Sequence, residues 1–291
     1  MKVEERLPLS RFTTLGTGGA ARYFARPETL AELEELLRWA HGDGLAVGVV
    51  GLGSNLLVAD EGVDGLVLKL GGELAQVSAD DEGLDGGGGA PLAVCLHRAR
   101  TAGLGGIEFA CAIPGTVGGG VWMNAGAYGG DVAGVLETAL VVDADGSRRL
   151  SPADLGLSYR RSGLRPGQVV AGARFRLERR APGEIKATVA EMQARRKAAQ
   201  PTNKRTFGSV FKNPEHELSA GRMLEACGLR GHRIGGAQIS PRHANFIENA
   251  DSATSADALA LMVEGRRRAL EQFGVELEHE VVLLGLELPL L

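Results

Sequence analysis

The chain has 291 residues, 44% of them apolar and 23% charged, the balance of an ordinary globular protein with room for about two compact units. A net charge of −4 gives no electrostatic case for nucleic acid. MKVEERLPLSRF lacks the apolar core of a secretory signal, and no apolar run approaches the roughly 18 residues of a membrane span. Cys95, Cys111 and Cys227 are too widely spaced for a CxxC or zinc site, and their odd number disfavours a disulfide framework. A cytoplasmic protein without a metal is expected.

In chain order, TTLGTGG (residues 13–19) reads as a polar, glycine-rich loop. Thr29 and Glu32 form a capping box, after which Leu30, Leu33, Leu37 and Ala40 line one helical face and Gly42 closes it. LAVGVVGLGSNLLVAD is a buried strand interrupted at Gly51–Asn55. The loop lacks the third glycine of a Rossmann fingerprint, so that fold is rejected. LVLKL and LAQVS read as short strands, and Asp85–Gly89 as a tight turn. Pro91–Gly103 is an amphipathic helix facing Leu92, Cys95, Leu96 and Ala99 inward.

Gly105–Asp131 is dense in glycine, yet it keeps Ile107, Phe109, Ile113, Val117, Val121, Trp122 and Met123. A flexible linker would be polar; this stretch has the apolar residues to stay packed. Pro114-Gly115 makes a turn, and the amides from Thr116 to Gly120 are expected to form a concave array suited to a pyrophosphate. Asn124 and Gly126 would extend its polar lining. A packed turn without a ligand is the plain alternative.

A hairpin around Asp145-Gly146 follows. In the next strand Ala173, Phe175 and Leu177 alternate with Arg174, Arg176 and Glu178. Glu184–Gln200 reads as a charged helix ended by Pro201. Further helices are predicted over Ser219–Cys227, stopped by Gly228, and over Ser255–Phe273, with Leu259, Met262, Val263, Leu270 and Phe273 on its apolar face. GVELEHEVVLLGLEL reads as a last strand. Six histidines are scattered without HExxH or i, i+4 pairing, and no G-x-S-x-G elbow is present. Arg160, Ser209 and Glu280, taken singly, read rather as a surface arginine, a turn serine and a solvated carboxylate at a strand start.

Together the motifs are specific. TTLGTGG, GLGSNLLVAD, GIEFACAIPGTVGGGVWMNAGAYGGD, YRRSGL, GSVFKNP, GHRIGGAQISPRHANFIEN and LEHEV occur in the order found in the UDP-N-acetylenolpyruvoylglucosamine reductase (MurB) family, which the chain resembles along nearly its whole length. The resemblance implies an α+β fold with two PCMH-type FAD-binding subdomains. These are residues 1–65, joined by a returning strand at 275–291, and residues 66–200. A substrate-binding domain at 201–274 completes the expectation.

The resemblance further implies non-covalent FAD, NADPH as hydride donor, a UDP-sugar substrate and a place in peptidoglycan precursor synthesis. No obligate protein partner is evident. Flavin-contacting motifs fall on Gly51, Gly53, Ser54, Asn55, Leu56, Gly115, Thr116, Gly118, Gly119, Asn124 and Gly126. Catalytic positions fall on Arg160, Ser209 and Glu280, and substrate contacts on Lys212, Asn213, Arg230 and His243. Arg160 would stabilise the enolate-like charge, Ser209 would deliver a proton to C2, and Glu280 would hold a proton or orient Arg160. The short segment Tyr159–Val189 indicates the shorter branch of the family. His279 replaces the proline of a Pro-Glu-Val motif, and His243 stands where other members carry glutamine. A PCMH-type oxidase would not need GSVFKNP, and a non-catalytic sensor would be expected to lose one of Arg160, Ser209 and Glu280.

Overall fold

Helix α1 (Leu30–Gly42) begins at its predicted cap: the Thr29 hydroxyl accepts from the Glu32 amide at 3.3 Å, and the Glu32 carboxylate accepts from the Thr29 amide at 3.3 Å. Its buried face is Leu33, Leu36, Leu37 and Ala40, packed with Leu66, Leu68, Val142 and Val169. The computed structural model describes residues 2–289. They fall into two units by internal contacts: unit 1 comprises Met1–Glu5, Tyr23–Leu52 and Gly65–Arg196, and unit 2 comprises Arg6–Arg22, Gly53–Asp64 and Lys197–Leu291.

Unit 1 is built on a five-stranded sheet in the order Gly146–Leu150, Leu136–Asp143, Val169–Arg176, Gly83–Gly87, Val77–Ala79, with antiparallel neighbours throughout. The predicted alternation holds: Ala173 and Phe175 are buried, as is Leu177 just beyond the strand. Arg174 turns outward to Asp80, Asp85 and Glu137 at 2.8, 2.6 and 3.3 Å. Helix α2 (Leu92–Thr101) buries Leu92, Cys95, Leu96 and Ala99, as its periodicity requires. Helices α3 (Val117–Trp122) and α4 (Pro182–Ala199) follow.

The reading of Asp85–Gly89 as a turn is corrected: Gly83–Gly87 is a strand inside the sheet. Glycine is needed there by crowding rather than by turning. A Cβ would stand 2.2 Å from the Phe175 carbonyl at Gly83 and 2.3 Å from that of Leu74 at Gly87, while at Gly88, just past the strand, it would stand 2.0 Å from that of Val170. Leu74-Ala75, expected in a strand, lie in a 3₁₀ turn over Gly72–Ala75 that leads into Val77–Ala79.

Unit 2 carries the antiparallel sheet Thr206–Ser209, Phe246–Asn249, Ala237–Ile239, Arg233–Ile234, with helices α5 (Ala220–Ala226) and α6 (Ser255–Phe273). Phe207, Phe211, Met223, Ile239, Ile247, Leu261 and Met262 form its core together with Leu15, Leu57 and Val281. Helix α6 has its predicted length but a different buried face, carried by Ser255, Ala258, Leu261, Met262, Gly265, Arg266 and Ala269, while Leu270 is exposed. Small residues let the helix approach closely: a Cβ at Gly265 would meet Leu224 at 3.2 Å and Phe211 at 3.3 Å. Such a stripe carries little apolar signal.

The predicted last strand is also shorter than expected. Only Val282–Leu284 forms one, parallel to Leu56–Val58. Residues before it pair instead with the stretch after Ser209, where Lys212 N–H donates to the Glu278 carbonyl at 2.9 Å and Glu280 N–H donates to that of Val210 at 2.8 Å. Helices and sheets of both senses make a mixed α+β fold, as the resemblance implied. Among the described residues no helix is long and apolar enough to cross a membrane.

Candidate active site

In unit 1 the glycine-rich stretch is organised by Thr116, the N-cap of α3. Its hydroxyl accepts from the Gly119 amide at 3.4 Å and its carbonyl from the Gly120 amide at 2.8 Å. The Val117 and Gly118 amides donate to the carbonyls of Ala90 and Gly88 at 2.9 and 2.8 Å. These N–H groups are therefore engaged within the protein, and the open array expected from the sequence is instead the first turn of a short helix.

The glycines separate into two kinds. A Cβ at Gly51 would lie 2.7 Å from the Thr116 hydroxyl, at Gly118 3.0 Å from the Gly88 carbonyl, and at Gly126 2.7 Å from Asp131. Within unit 2, Gly53 has φ +70°, and a Cβ there would lie 1.8 Å from the Phe12 carbonyl. The fold itself demands glycine at those four places. It makes no such demand at Gly115 and Gly119, where the nearest atoms to a Cβ stand at 3.6 and 3.7 Å and φ is not positive. Bare backbone that packing does not require leaves this cradle open to close approach by a ligand.

Asn124 is buried at φ +40°. Its amide donates to the Ser158 carbonyl at 3.0 Å, and its side-chain oxygen accepts from the Ala133 amide at 2.8 Å. The side chain thus serves as a brace. Strands Gly126–Ala127 and Gly130–Asp131 pair through a two-residue turn in which Tyr128 and Gly129 both have positive φ, +54° and +87°, the geometry of a type I′ hairpin. Arg160, also at φ +54°, donates to the Gly126 carbonyl at 2.7 Å and stacks on Tyr159 at 5.1 Å. Ser162 donates to the Trp122 carbonyl at 2.7 Å. Hence the segment 158–162 is tied to the segment 122–126 by three side chains. Asn124, Tyr128 and Arg160 hold a left-handed conformation that non-glycine residues adopt at a cost, and such positions gather where geometry is imposed by function.

In unit 2, Ser209 ends a strand and pairs with Phe246. Glu280 lies on the adjoining segment, its amide bonded to Val210, the residue after Ser209. The structure therefore brings Ser209 and Glu280 together by backbone pairing. Buried Asn245 clamps the same strand, accepting from the Phe211 amide at 2.9 Å and donating to the Phe211 carbonyl at 2.8 Å. His279 Nδ1 donates to the Val281 carbonyl at 2.8 Å, which fixes the proton on that nitrogen. Asn55 donates to the Glu280 carbonyl at 3.2 Å.

The expected substrate contacts gather around α5. Asn213 accepts from the Ala220 amide at 3.2 Å, Arg230 pairs with Glu225 at 3.0 Å, and a Cβ at Gly221 would reach His243 at 2.8 Å. Lys212 lies beside them in sequence and pairs with Glu278 at 2.6 Å. Burial first, and then the Arg230 charge, holds the His243 imidazolium below its ordinary range. Its Nδ1 accepts from the Asn245 amide at 3.2 Å, so the neutral ring carries its proton on Nε2.

Two residues escaped the sequence reading. Lys69 in unit 1 donates to the Gly51 carbonyl at 2.5 Å, and burial, then Arg26, pushes its pKa down. Its only sequence signal is a single lysine after an apolar strand. Thr14 in unit 2 bonds the Gly53 and Thr206 carbonyls, which gives the polar loop TTLGTGG a task. By contrast, burial raises the Cys95 thiol to about 12, so it is inert. Among the described residues no cluster of three or more His, Cys, Asp or Glu side chains is placed to hold a metal.

Comparison with known proteins accounts for both units. Residues 21–150 match the FAD binding domain family, and residues 200–284 match the C-terminal domain of UDP-N-acetylenolpyruvoylglucosamine reductase. A protein of Symbiobacterium thermophilum named UDP-N-acetylenolpyruvoylglucosamine reductase 2 is 44% identical over 98% of this chain and 92% of its own. A reductase of Synechococcus is 42% identical over 98% of this chain and 95% of its own. The crystal structure of the Thermus caldophilus reductase superposes with a TM-score of 0.85 at 39% identity, covering 98% of this chain and 99% of that one. With sequence and fold both shared end to end, the chain belongs to the UDP-N-acetylenolpyruvoylglucosamine reductase family.

Proposed function

We propose that the chain reduces the enolpyruvyl group of UDP-N-acetylenolpyruvoylglucosamine to give UDP-N-acetylmuramate, using NADPH, in cytoplasmic peptidoglycan precursor synthesis. It is an FAD-dependent oxidoreductase. The observation that carries the specific reaction is likeness over 98% of the chain to a relative bearing that substrate in its name. FAD, when bound, would supply the redox chemistry. The backbone at Gly115 and Gly119 would hold it in unit 1. Neither glycine loop carries a histidine to link it, so it is held without a covalent bond.

The protein's own contribution is to manage charge and protons. As C3 gains hydride, negative charge develops at C2 and spreads into the adjacent carboxylate. Arg160 meets that charge with its planar guanidinium. Its backbone strain and its bond to Gly126 preset the direction, so little reorganisation accompanies the reaction. Ser209 delivers the proton to C2. A hydroxyl is a weak acid, and it donates only once charge has built up beside it. Glu280 holds a proton near the carboxylate or orients Arg160. Lys212, Asn213, Arg230 and His243 bind the rest of the substrate, with His243 acting as a neutral hydrogen-bond donor through Nε2.

The test is spectroscopic. Purified protein should show flavin absorption that bleaches with NADPH and returns anaerobically on adding UDP-N-acetylenolpyruvoylglucosamine. Bleaching with no anaerobic return would overturn the assignment of this substrate. A colourless protein that FAD cannot reconstitute would overturn the whole reading.

A further inference from the structure

Asn55 stands at the end of the glycine loop, and the resemblance assigns it to the flavin. Its hydrogen bonds point elsewhere. The side-chain amide donates to the Glu280 carbonyl at 3.2 Å, and the Asn55 carbonyl accepts from the Val282 amide at 3.1 Å. On its other side the Glu280 amide donates to Val210 at 2.8 Å. The peptide groups flanking Glu280 are thus held from two directions, by the Ser209 segment and by Asn55. From Val282 the chain runs parallel to Leu56–Val58, starting at the pair Val282↔Leu56.

The loop is itself braced. The Thr14 amide donates to the Gly53 carbonyl at 3.0 Å, and the Thr14 hydroxyl lies 2.6 Å from the Thr206 carbonyl and 3.1 Å from that of Gly53. A Cβ on Gly208, at φ +83°, would stand 3.3 Å from the Ser54 carbonyl. One end of residues 53–55 is therefore fastened to the Thr206–Ser209 strand, and the other end to Glu280.

We propose that Asn55 is a positioning residue for Glu280, setting the direction of the carboxylate through the Glu280 carbonyl. The inference rests on the catalytic role given to Glu280 above. Losing the Asn55 donor leaves the backbone bond from Val282 intact, so the strand stays paired. The peptide after Glu280 gains freedom to rotate, and its side chain swings with it. Displacing a reacting group by about 1 Å can cost on the order of 100-fold in rate.

The experiment compares Asn55→Ala, the isosteric non-donor Asn55→Asp, Glu280→Gln and the double variant Asn55→Ala/Glu280→Gln. Reoxidation of the reduced protein by the UDP-sugar is followed at saturating FAD. Amide hydrogen exchange of residues 278–282 is followed without substrate, and FAD affinity is titrated separately. Both Asn55 variants should slow reoxidation about 10- to 100-fold and speed exchange at 278–282, while exchange across α6 stays unchanged. In the Glu280→Gln background, Asn55→Ala should add less than about 2-fold, because both changes remove the same contribution.

An equal slowing by Asn55→Ala in both backgrounds would overturn the proposal. So would variants that merely weaken FAD and run at full rate once saturated, or an Asn55→Asp protein that keeps the wild-type rate. If Glu280→Gln reoxidises like wild type, the role given to Glu280 falls and the inference falls with it. That outcome is distinct from the failure of Asn55 alone. Should Asn55→Ala fold poorly, Asn55→Asp carries the comparison and is crossed with Glu280→Gln in its place.

Discussion

Substituting Gly119 by alanine should move stability and cofactor affinity in opposite directions. Gly119 lies in the first turn of α3, and a Cβ there meets nothing nearer than the Thr116 hydroxyl at 3.7 Å, an ordinary contact. Alanine is favoured over glycine in a helix by roughly 0.5–1 kcal/mol, so the protein without FAD should melt about 1–4 °C higher. The same methyl occupies space that packing leaves bare. If the cradle holds the flavin nucleotide, a methyl that weakens that contact by about 1.4 kcal/mol costs roughly tenfold in FAD affinity. Gly118→Ala is the internal control. Its Cβ would stand 3.0 and 3.1 Å from the Gly88 and Val170 carbonyls, backbone atoms that yield poorly, so it should lose about 1–3 kcal/mol. Calorimetry without FAD and a fluorescence titration with FAD measure both quantities. A Gly119→Ala protein that binds FAD as tightly as wild type would refute the ligand-facing assignment. One that melts as low as Gly118→Ala would refute the reading of the space as open.

Ser209→Ala should still bleach quickly with NADPH, while stopped-flow reoxidation by the enolpyruvyl substrate slows about 10²- to 10⁴-fold; equal rates would remove Ser209 as proton donor. Arg160→Lys keeps a charge but loses the fork that reaches the Gly126 carbonyl and the stack on Tyr159, so kcat/KM should fall roughly 100-fold with FAD affinity unchanged. His243 provides a pH test. Its pKa in the fold lies below the ordinary 6.5, first from burial and then from Arg230, while Glu225 opposes and Arg222 reinforces the shift. The unfolded chain therefore binds the extra proton first, and the stability given by the neutral ring is fully present above 6.5 and lost as pH falls. Urea midpoints of wild type should drop more steeply from about pH 7.5 to 5.5 than those of His243→Gln. Parallel slopes would show that the ring is not held neutral by the fold.

Local signals in the sequence located elements well where one side chain has one job. The capping box at Thr29, the apolar face of α2 and the alternation from Ala173 to Leu177 all reappear in the structure. Prediction failed where glycine serves packing. Asp85–Gly89 looks like a turn because its composition matches one, and only the carbonyls of Phe175 in the next strand and Leu74 in the 3₁₀ turn reveal why the strand Gly83–Gly87 needs its glycines. Helix α6 misled for a related reason, since Ala258, Gly265 and Ala269 bury a face with almost no hydrophobic contrast. At the candidate site, the motif order named the residues but not their bonds. Asn124 and Asn55 both read as ligand contacts, yet their side-chain amides donate to the carbonyls of Ser158 and Glu280, partners 34 and 225 positions away. No periodicity encodes pairings at that separation.

The parallel pairing of Val282–Leu284 with Leu56–Val58 also has a consequence for biosynthesis. Every stretch of unit 1 has been synthesised once Arg196 is made, whereas unit 2 draws on Arg6–Arg22 and Gly53–Asp64 and then waits for Lys197 onward. Leu15 and Leu57, emerging early, share a core whose other members run from Phe207 to Val281, so that core is complete only when translation is nearly finished. A chain terminated between residues 197 and 276 holds all of unit 1 but leaves the core of unit 2 without Leu277 and Val281.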